Sequence, residues 1–176
     1  MAKYSRQTIQ RYLHLCNDLK RTAKQRGGSF EDLASYVFRK VPGVNLEQRD
    51  VLNVFQNQEI DLAFWNEKSS TGFSFLPYIL LVECKNWYDP VSSEQVSWFG
   101  SKLKQRGLDF GILIANNGIT GNARDLTSAH QIIANHLAEK RTILIMTRQE
   151  IQALAETSDF VRLMKEKLFR LVVSGE

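Results

Sequence analysis

Residues 79–87 read ILLVECKNW. Its first part is apolar, as in a strand that is buried on both faces of a sheet. Glu83 and Lys85 follow at its end. Because side chains alternate along a strand, these two point to one face while Cys84 points to the other. The acid and the base on one side of a buried strand require an explanation, and the preceding strand supplies one.

In the preceding strand, EIDLAF at residues 59–64, Asp61 lies between the apolar residues Ile60 and Leu62. Asp61 points away from the face of Ile60 and Leu62, so pairing of the two strands would bring Asp61 close to Glu83. Two carboxylates forced together repel unless positive charge lies between them. A divalent metal is the usual answer, and oxygen ligands select Mg²⁺ or Mn²⁺.

Lys85 shares the face of the two acids and completes a set that suits metal-assisted phosphodiester cleavage. Its ammonium can orient a water or stabilise charge on a phosphate. The acid-x-Lys triplet has little weight alone, since residue frequencies of roughly 6% make about one copy expected in a chain of this length. The alternative is a plain ion pair at the end of a sheet. The strand context and the isolated Asp61 favour the metal site.

The bulk composition bounds the class of protein. The chain has 176 residues, 43% of them hydrophobic and 24% charged, which predicts one globular domain with a sizeable core. No apolar run approaches the roughly 20 residues of a membrane helix, and the N-terminus is too charged for a signal peptide. We therefore expect a cytoplasmic protein without a membrane partner. Cys16 and Cys84 show neither zinc-site nor disulfide-framework spacing.

The charge is mildly basic and unevenly distributed. The formal net charge is +4, and basic residues crowd two predicted helices. One group lies in the N-terminal segment and the other consists of Lys102, Lys104 and Arg106. Such clusters suit a polyanion such as DNA, although solvated helix faces would show the same pattern.

Apolar periodicity and turn residues predict the order α-α-β-β-β-α-β-α-β-α-α. We expect a first helix at 5–26 that ends at Gly27-Gly28, and a second that Ser29 caps. Strands are predicted at 44–55, 58–65, 78–86, 108–115 and 142–146, with a turn at 56–58, and further helices at 93–106, 121–138, 148–155 and 158–173. Tight connections imply antiparallel pairing, and alternation with helices implies parallel pairing. The class is α/β, a mixed sheet of four to five strands flanked by helices on both faces.

Asp61, followed by Glu83-Cys84-Lys85 on the next strand and then a helix, resembles the PD-(D/E)xK nuclease superfamily with its restriction-endonuclease-like fold. Within it the chain is similar to Mrr-type restriction endonucleases, with archaeal Holliday junction resolvases as near relatives. The likeness spans about residues 27–152 and includes GGSFEDLASYVF, QEIDLAF, LLVECKNW and FGILIANNGITGNARDLTSAH. Ile60 replaces the proline of the superfamily's name, and the connection from Asp61 to Glu83 is long enough to carry substrate contacts.

The resemblance implies a role for each matching position. Asp61 and Glu83 would bind Mg²⁺ or Mn²⁺, with the main-chain carbonyl of Cys84 as a further ligand, and Lys85 would position or activate the attacking water. Glu31 would bind a second metal or a metal-bound water. An acid in the first turn of a helix also favours the helix dipole, which is the alternative for Glu31.

Gln95 matches a helical glutamine that lies near the active site in some members of the family. An ordinary polar helix position is the alternative reading of this residue.

The predicted organisation is a single nuclease domain over residues 1–176. It comprises an N-terminal helical extension (1–26), the restriction-endonuclease-like core (27–152) and a C-terminal helix (153–176). The last helix has an apolar face that suits either a homodimer or packing on the sheet (Phe160, Leu163, Met164, Leu168 and Leu171).

The resemblance implies a metal-dependent DNA endonuclease. A structure-specific nuclease of the Holliday junction type and a non-cleaving nucleic-acid-binding module of the same fold are the alternatives.

Overall fold

A computed structural model describes residues 2–52, 59–121 and 128–175. Helices and strands within these ranges follow the predicted order. The helices are α1 (Arg6–Asn17), α2 (Ala23–Arg39), α3 (Ser93–Gln105), α4 (Ala129–Ala138), α5 (Arg148–Ala153) and α6 (Thr157–Ser174). The strands are β1 (Val44–Leu52), β2 (Glu59–Asn66), β3 (Ile79–Lys85), β4 (Phe110–Ala115) and β5 (Thr142–Thr147). The turn predicted at 56–58 lies outside the described residues. So do residues 122–127 of the helix predicted at 121–138.

The five strands form one mixed sheet in the order β1-β2-β3-β4-β5. β1, β2 and β3 pair antiparallel, whereas β3, β4 and β5 pair parallel. The α3 and α4 segments provide the crossovers that parallel neighbours require. The prediction of an α/β fold with a mixed sheet is confirmed.

One face of the sheet packs against α2 and α6. Ile60, Leu62 and Phe64 alternate along β2 with more exposed residues and are buried. Phe38 of α2 stacks on Phe64, with ring centroids 5.0 Å apart, and meets Phe160 of α6 edge-on at 4.9 Å. These rings join the two helices to the sheet through one apolar core.

The opposite face is covered by α3. Gly111 of β4 lies so close to this helix that an added Cβ would stand 2.7 Å from Phe99 and 2.8 Å from Leu103. Gly100 of α3 in turn accommodates His136 of α4, which would lie 2.1 Å from a Cβ. The small residues let α3 approach both the sheet and α4, and helices on both faces are confirmed.

The predicted boundary between the first two helices is wrong. α1 ends at Asn17, and α2 begins at Ala23 and continues through Gly27 and Gly28. The reason is a capping box, in which the Thr22 side chain accepts from the Gln25 main chain and the Gln25 side chain accepts from the Thr22 main chain. Reciprocal caps of this kind start helices, and a helix interior tolerates glycine at about 1 kcal/mol per residue.

Ser29 is therefore not a cap but a buried residue inside α2. Its hydroxyl donates to the Gln25 carbonyl and accepts a hydrogen bond from Arg21. Residues 23–26 form the start of α2 rather than the end of the first helix.

The long connection between β2 and β3 is organised around the buried side chain of Asn66. Its amide nitrogen donates to the carbonyls of Phe73 and Pro77, each at 2.9 Å. Gly72 passes against Pro42, whose carbonyl oxygen would lie 2.1 Å from an added Cβ. The connection is a packed part of the fold on the side of α2.

The apolar residues of α6 pack inward. Phe160, Met164 and Leu171 are buried, and Leu163 and Leu168 pack against the core. The set predicted to serve either a dimer or the sheet therefore serves the sheet, and the exposed apolar residues of this helix are Phe169, Val172 and Val173. Within the described residues, no helix combines the length and apolarity needed to cross a membrane.

Alanine at Gly27 or Gly28 should raise the free energy of unfolding by roughly 0.5–1 kcal/mol. Nothing lies within 4 Å of either added Cβ, and both residues are inside α2. Urea unfolding followed by circular dichroism provides the measurement. Gly72→Ala is the contrasting variant and should lower the free energy of unfolding, because its Cβ would collide with the Pro42 carbonyl oxygen. Lower stability of both Gly27→Ala and Gly28→Ala would contradict a continuous α2.

Candidate active site

The register of β2 and β3 brings Asp61 beside Glu83. Leu62 pairs with Val82, so the next position along the antiparallel ladder sets Asp61 opposite Glu83. Asp61 Oδ2 accepts a hydrogen bond of 2.6 Å from the main-chain nitrogen of Cys84. The start of β2 and the end of β3 thus present two carboxylates on one face, as strand alternation predicts.

Glu83 is a buried carboxylate held by two lysines. Lys85 Nζ donates to Glu83 Oε1 at 2.7 Å. Lys102 Nζ, from α3, donates to Oε1 at 2.8 Å and to Oε2 at 2.9 Å. An ionised carboxylate is costly to bury unless it is paired and hydrogen-bonded, and these contacts meet that need.

Lys102 is a site residue that the sequence reasoning missed. The side chain was assigned to a surface cluster with Lys104 and Arg106, but it is buried, and its ammonium also donates to the Glu59 carbonyl at 2.6 Å. One signal in the sequence could have indicated this. Lys102 follows Phe99 by three residues and directly precedes Leu103, so it borders the apolar face of the helix.

The environment of Asp61 opposes its ionisation. Burial, followed by repulsion from Glu83, raises the pKa of Asp61 from 3.8 to about 7. The Cys84 amide and the Lys85 ammonium oppose this shift, and Glu31 adds to it. Burial and the neighbouring carboxylates therefore outweigh the stabilisation that the Cys84 amide and the Lys85 ammonium give to the Asp61 charge.

Lys85 lies at the open side of the pair. Burial alone would lower its pKa, but the Glu83 carboxylate outweighs burial and raises the pKa of Lys85. Its ammonium also lies 5.4 Å from the centre of the half-exposed Trp87 ring. The lysine is thus kept protonated at neutral pH and remains partly accessible.

Glu31 is close enough to Asp61 for repulsion between them, but its own partner is Arg49. Arg49 bonds Glu31 at 3.2 Å and Asp32 at 2.7 Å. Burial raises the pKa of Glu31, and Arg49 opposes this shift. Glu31 lies in the middle of α2 rather than in its first turn, so the helix dipole does not explain the acid at this position.

Gln95 and Cys84 complete the predicted set. Gln95 lies in the first turn of α3, half-buried, and in the described ranges no hydrogen bond joins it to Asp61, Glu83 or Lys85. The Cys84 main chain pairs with Ile114 of β4, and burial raises the pKa of its thiol well above the ordinary value. The roles of Gln95 and of the Cys84 carbonyl stay predictions.

The donor set at Asp61 and Glu83 fits a divalent cation. Burial, followed by repulsion from Glu83, raises the pKa of Asp61, and a cation beside the two carboxylates would relieve that repulsion. In the described part of the chain, no three His, Cys, Asp or Glu side chains form a group that could hold a metal ion. The fit therefore rests on two carboxylates and main-chain oxygens, and Glu31 stands apart with Arg49.

One apolar cavity of the described structure lies away from these residues. Its volume is about 300 Å³, and its lining includes His130, Ile133, Lys167 and Leu171. Neither carboxylate contributes to its walls. The charged residues of the predicted site lie instead at the ends of β2 and β3.

A family model described as restriction endonuclease, the Mrr catalytic domain, matches residues 22–155. The match covers more than half of the chain and includes the whole sheet and every residue of the predicted site. The chain therefore belongs to the Mrr-type family of restriction endonucleases and is a restriction-endonuclease-like nuclease domain. No curated protein matches it. The division into extension, core and final helix stays a prediction.

Asp61→Asn should stabilise the metal-free protein in a pH-dependent way. The pKa of Asp61 is about 7 in the folded protein, against an ordinary value of 3.8, so ionisation of Asp61 lowers the free energy of unfolding. This loss is absent below the ordinary pKa, grows as the pH rises, and is complete above the pKa of the folded protein. The variant should match the wild type near about pH 4 and exceed it by roughly 2–4 kcal/mol near about pH 8.

Chemical denaturation of both proteins in chelator across this pH range tests the expectation. Asp89→Asn, which removes an exposed carboxylate, is the matched control. A stability difference between Asp61→Asn and wild type that does not change with pH would show that burial and repulsion do not raise the pKa of Asp61.

Proposed function

We propose that the protein is a Mg²⁺- or Mn²⁺-dependent DNA endonuclease that hydrolyses phosphodiester bonds. The observation that carries the proposal is the strand register, which sets Asp61 opposite Glu83 with Lys85 bonded to Glu83 on the same face. Membership of the restriction endonuclease family supports DNA as the substrate. A cytoplasmic location and a homodimer remain predictions.

Asp61 and Glu83 would hold the cation, with the Cys84 carbonyl as a further ligand. A bound cation supplies a polarised phosphate oxygen and a water of lowered pKa. The main-chain amide of Cys84 fixes the orientation of the Asp61 carboxylate, and the two lysines fix that of Glu83. Ligands held in this way lose little freedom when the site is filled.

Lys85 would stabilise negative charge on the phosphate and orient the water. Its raised pKa keeps the ammonium protonated, so it donates hydrogen bonds and cannot accept the proton of the water in this state. Donors directed at developing charge in a partly dry site contribute strongly to rate. The partial exposure of Lys85 leaves it accessible to a phosphate in a way that the buried Lys102 is not.

Glu31 and Gln95 have supporting roles in the proposal. Glu31 would bind a metal-bound water or a second ion after separation from Arg49, which holds it at 3.2 Å. Gln95 would contact the site from the first turn of α3. Both roles rest on the family resemblance rather than on a contact.

Lys85→Ala should reduce cleavage by at least about 10²-fold and leave binding and folding largely intact. The measurement is nicking of supercoiled plasmid with Mg²⁺ or Mn²⁺, alongside DNA binding in Ca²⁺ and thermal unfolding. Lys165→Ala is the control, because Lys165 is an exposed residue of α6 outside both basic clusters.

Linear duplex, four-way junction and RNA substrates in the same assay separate the endonuclease from a structure-specific nuclease. If wild-type protein nicks no DNA with either ion and Lys85→Ala behaves identically, the fold acts as a binding module and the enzymatic proposal fails.

A further inference from the structure

Lys102 contacts the site through every donor it has. Its ammonium bonds both Glu83 oxygens, at 2.8 and 2.9 Å, and the Glu59 carbonyl at 2.6 Å. An ammonium carries three N–H groups, so none is left for solvent or substrate. The side chain is almost fully buried, so Lys102 acts on the site only through Glu83 and the start of β2.

The two lysines at Glu83 differ in geometry. Lys85 reaches one carboxylate oxygen from its own strand and keeps part of its surface exposed. Lys102 comes from α3 and donates to both Glu83 carboxylate oxygens, as a metal cation bound to the carboxylate would contact both. Burial of Glu83 requires counter-charge before any metal arrives, and Lys102 supplies it from the interior.

We infer that Lys102 is a positioning residue that takes the place of a divalent cation at Glu83, and that metal binding competes with it. The inference rests on the proposed function, since it concerns the same pair of carboxylates. Lys102 holds Glu83 in the metal-free protein and keeps the strand ends aligned. Its positive charge also repels a second cation at the same oxygens, which weakens metal binding.

Loss of the Lys102 charge has two opposite consequences. The metal-free protein loses stability because Glu83 keeps only Lys85 as counter-charge and the Glu59 carbonyl loses its donor. The affinity for the metal rises because a repulsive charge is removed from a buried position. A merely structural lysine would show the first consequence without the second.

Lys102→Met is the test. We expect a lower melting temperature in chelator, an affinity for Mn²⁺ higher by about tenfold or more, and a larger rise in melting temperature on addition of Mn²⁺. Isothermal titration with Mn²⁺ and thermal unfolding with and without the ion provide the readouts. Lys104→Met, on the exposed side of the same helix, should match the wild type in both.

Lys102→Gln keeps a donor while losing the charge, so it should show the same gain in affinity with a smaller loss of stability. It also preserves the test if the methionine variant does not fold. Asp61→Asn added to each background should abolish Mn²⁺ binding, which places the ion at this site.

The outcomes separate the inference from the proposed function. One outcome is that the wild type binds Mn²⁺ and both Lys102 variants bind it with unchanged or weaker affinity. That result overturns the inference but leaves the proposed metal dependence intact. Binding only in the Lys102 variants supports the competition directly. Absence of binding in all three proteins refutes the inference together with the metal dependence.

Discussion

Burial of the Glu83 carboxylate places the strongest demand on this fold. An unpaired charge in the interior costs several kcal/mol, and removal of one partner from a buried pair is correspondingly damaging. Lys102 of α3 supplies the counter-charge to Glu83. Its third hydrogen bond, to the Glu59 carbonyl, links α3 to the start of β2 as well as to the end of β3. The packing of the crossover helix and the alignment of the two acidic strand ends therefore depend on one ammonium group.

The position of that ammonium is in turn a result of packing. Gly111 leaves room for Phe99 and Leu103 against β4, so α3 lies close to the sheet face that carries Glu83. A side chain at Gly111 would push the helix outward and draw Lys102 away from the carboxylate. The geometry of the charged site thus has an apolar cause one strand away.

Strand alternation made the acidic pair predictable from sequence, whereas helix ends and Lys102 required tertiary information. Asp61 and Glu83 were found because a period of two assigns faces without knowledge of distant contacts. Lys102 was missed because a lysine near an apolar helix face is usually solvated, and its partner is 19 residues away in sequence. The boundary of α2 was missed because Gly27-Gly28 resembled a stop, while the cap at Thr22 decides where the helix begins.

The charges around the site also explain why substrate and cation should help each other bind under the proposed function. Without either, Glu83 is matched by Lys85 and Lys102, and Arg106 lies within the influence of the same carboxylate. A divalent cation held by Asp61 and Glu83 would remove the repulsion between the acids but would add to the positive charge around the lysines. A phosphodiester brings the missing negative charge to the accessible side, where Lys85 lies. Each of the two ligands thus reduces the electrostatic cost of the other, which is a positive coupling in the thermodynamic sense.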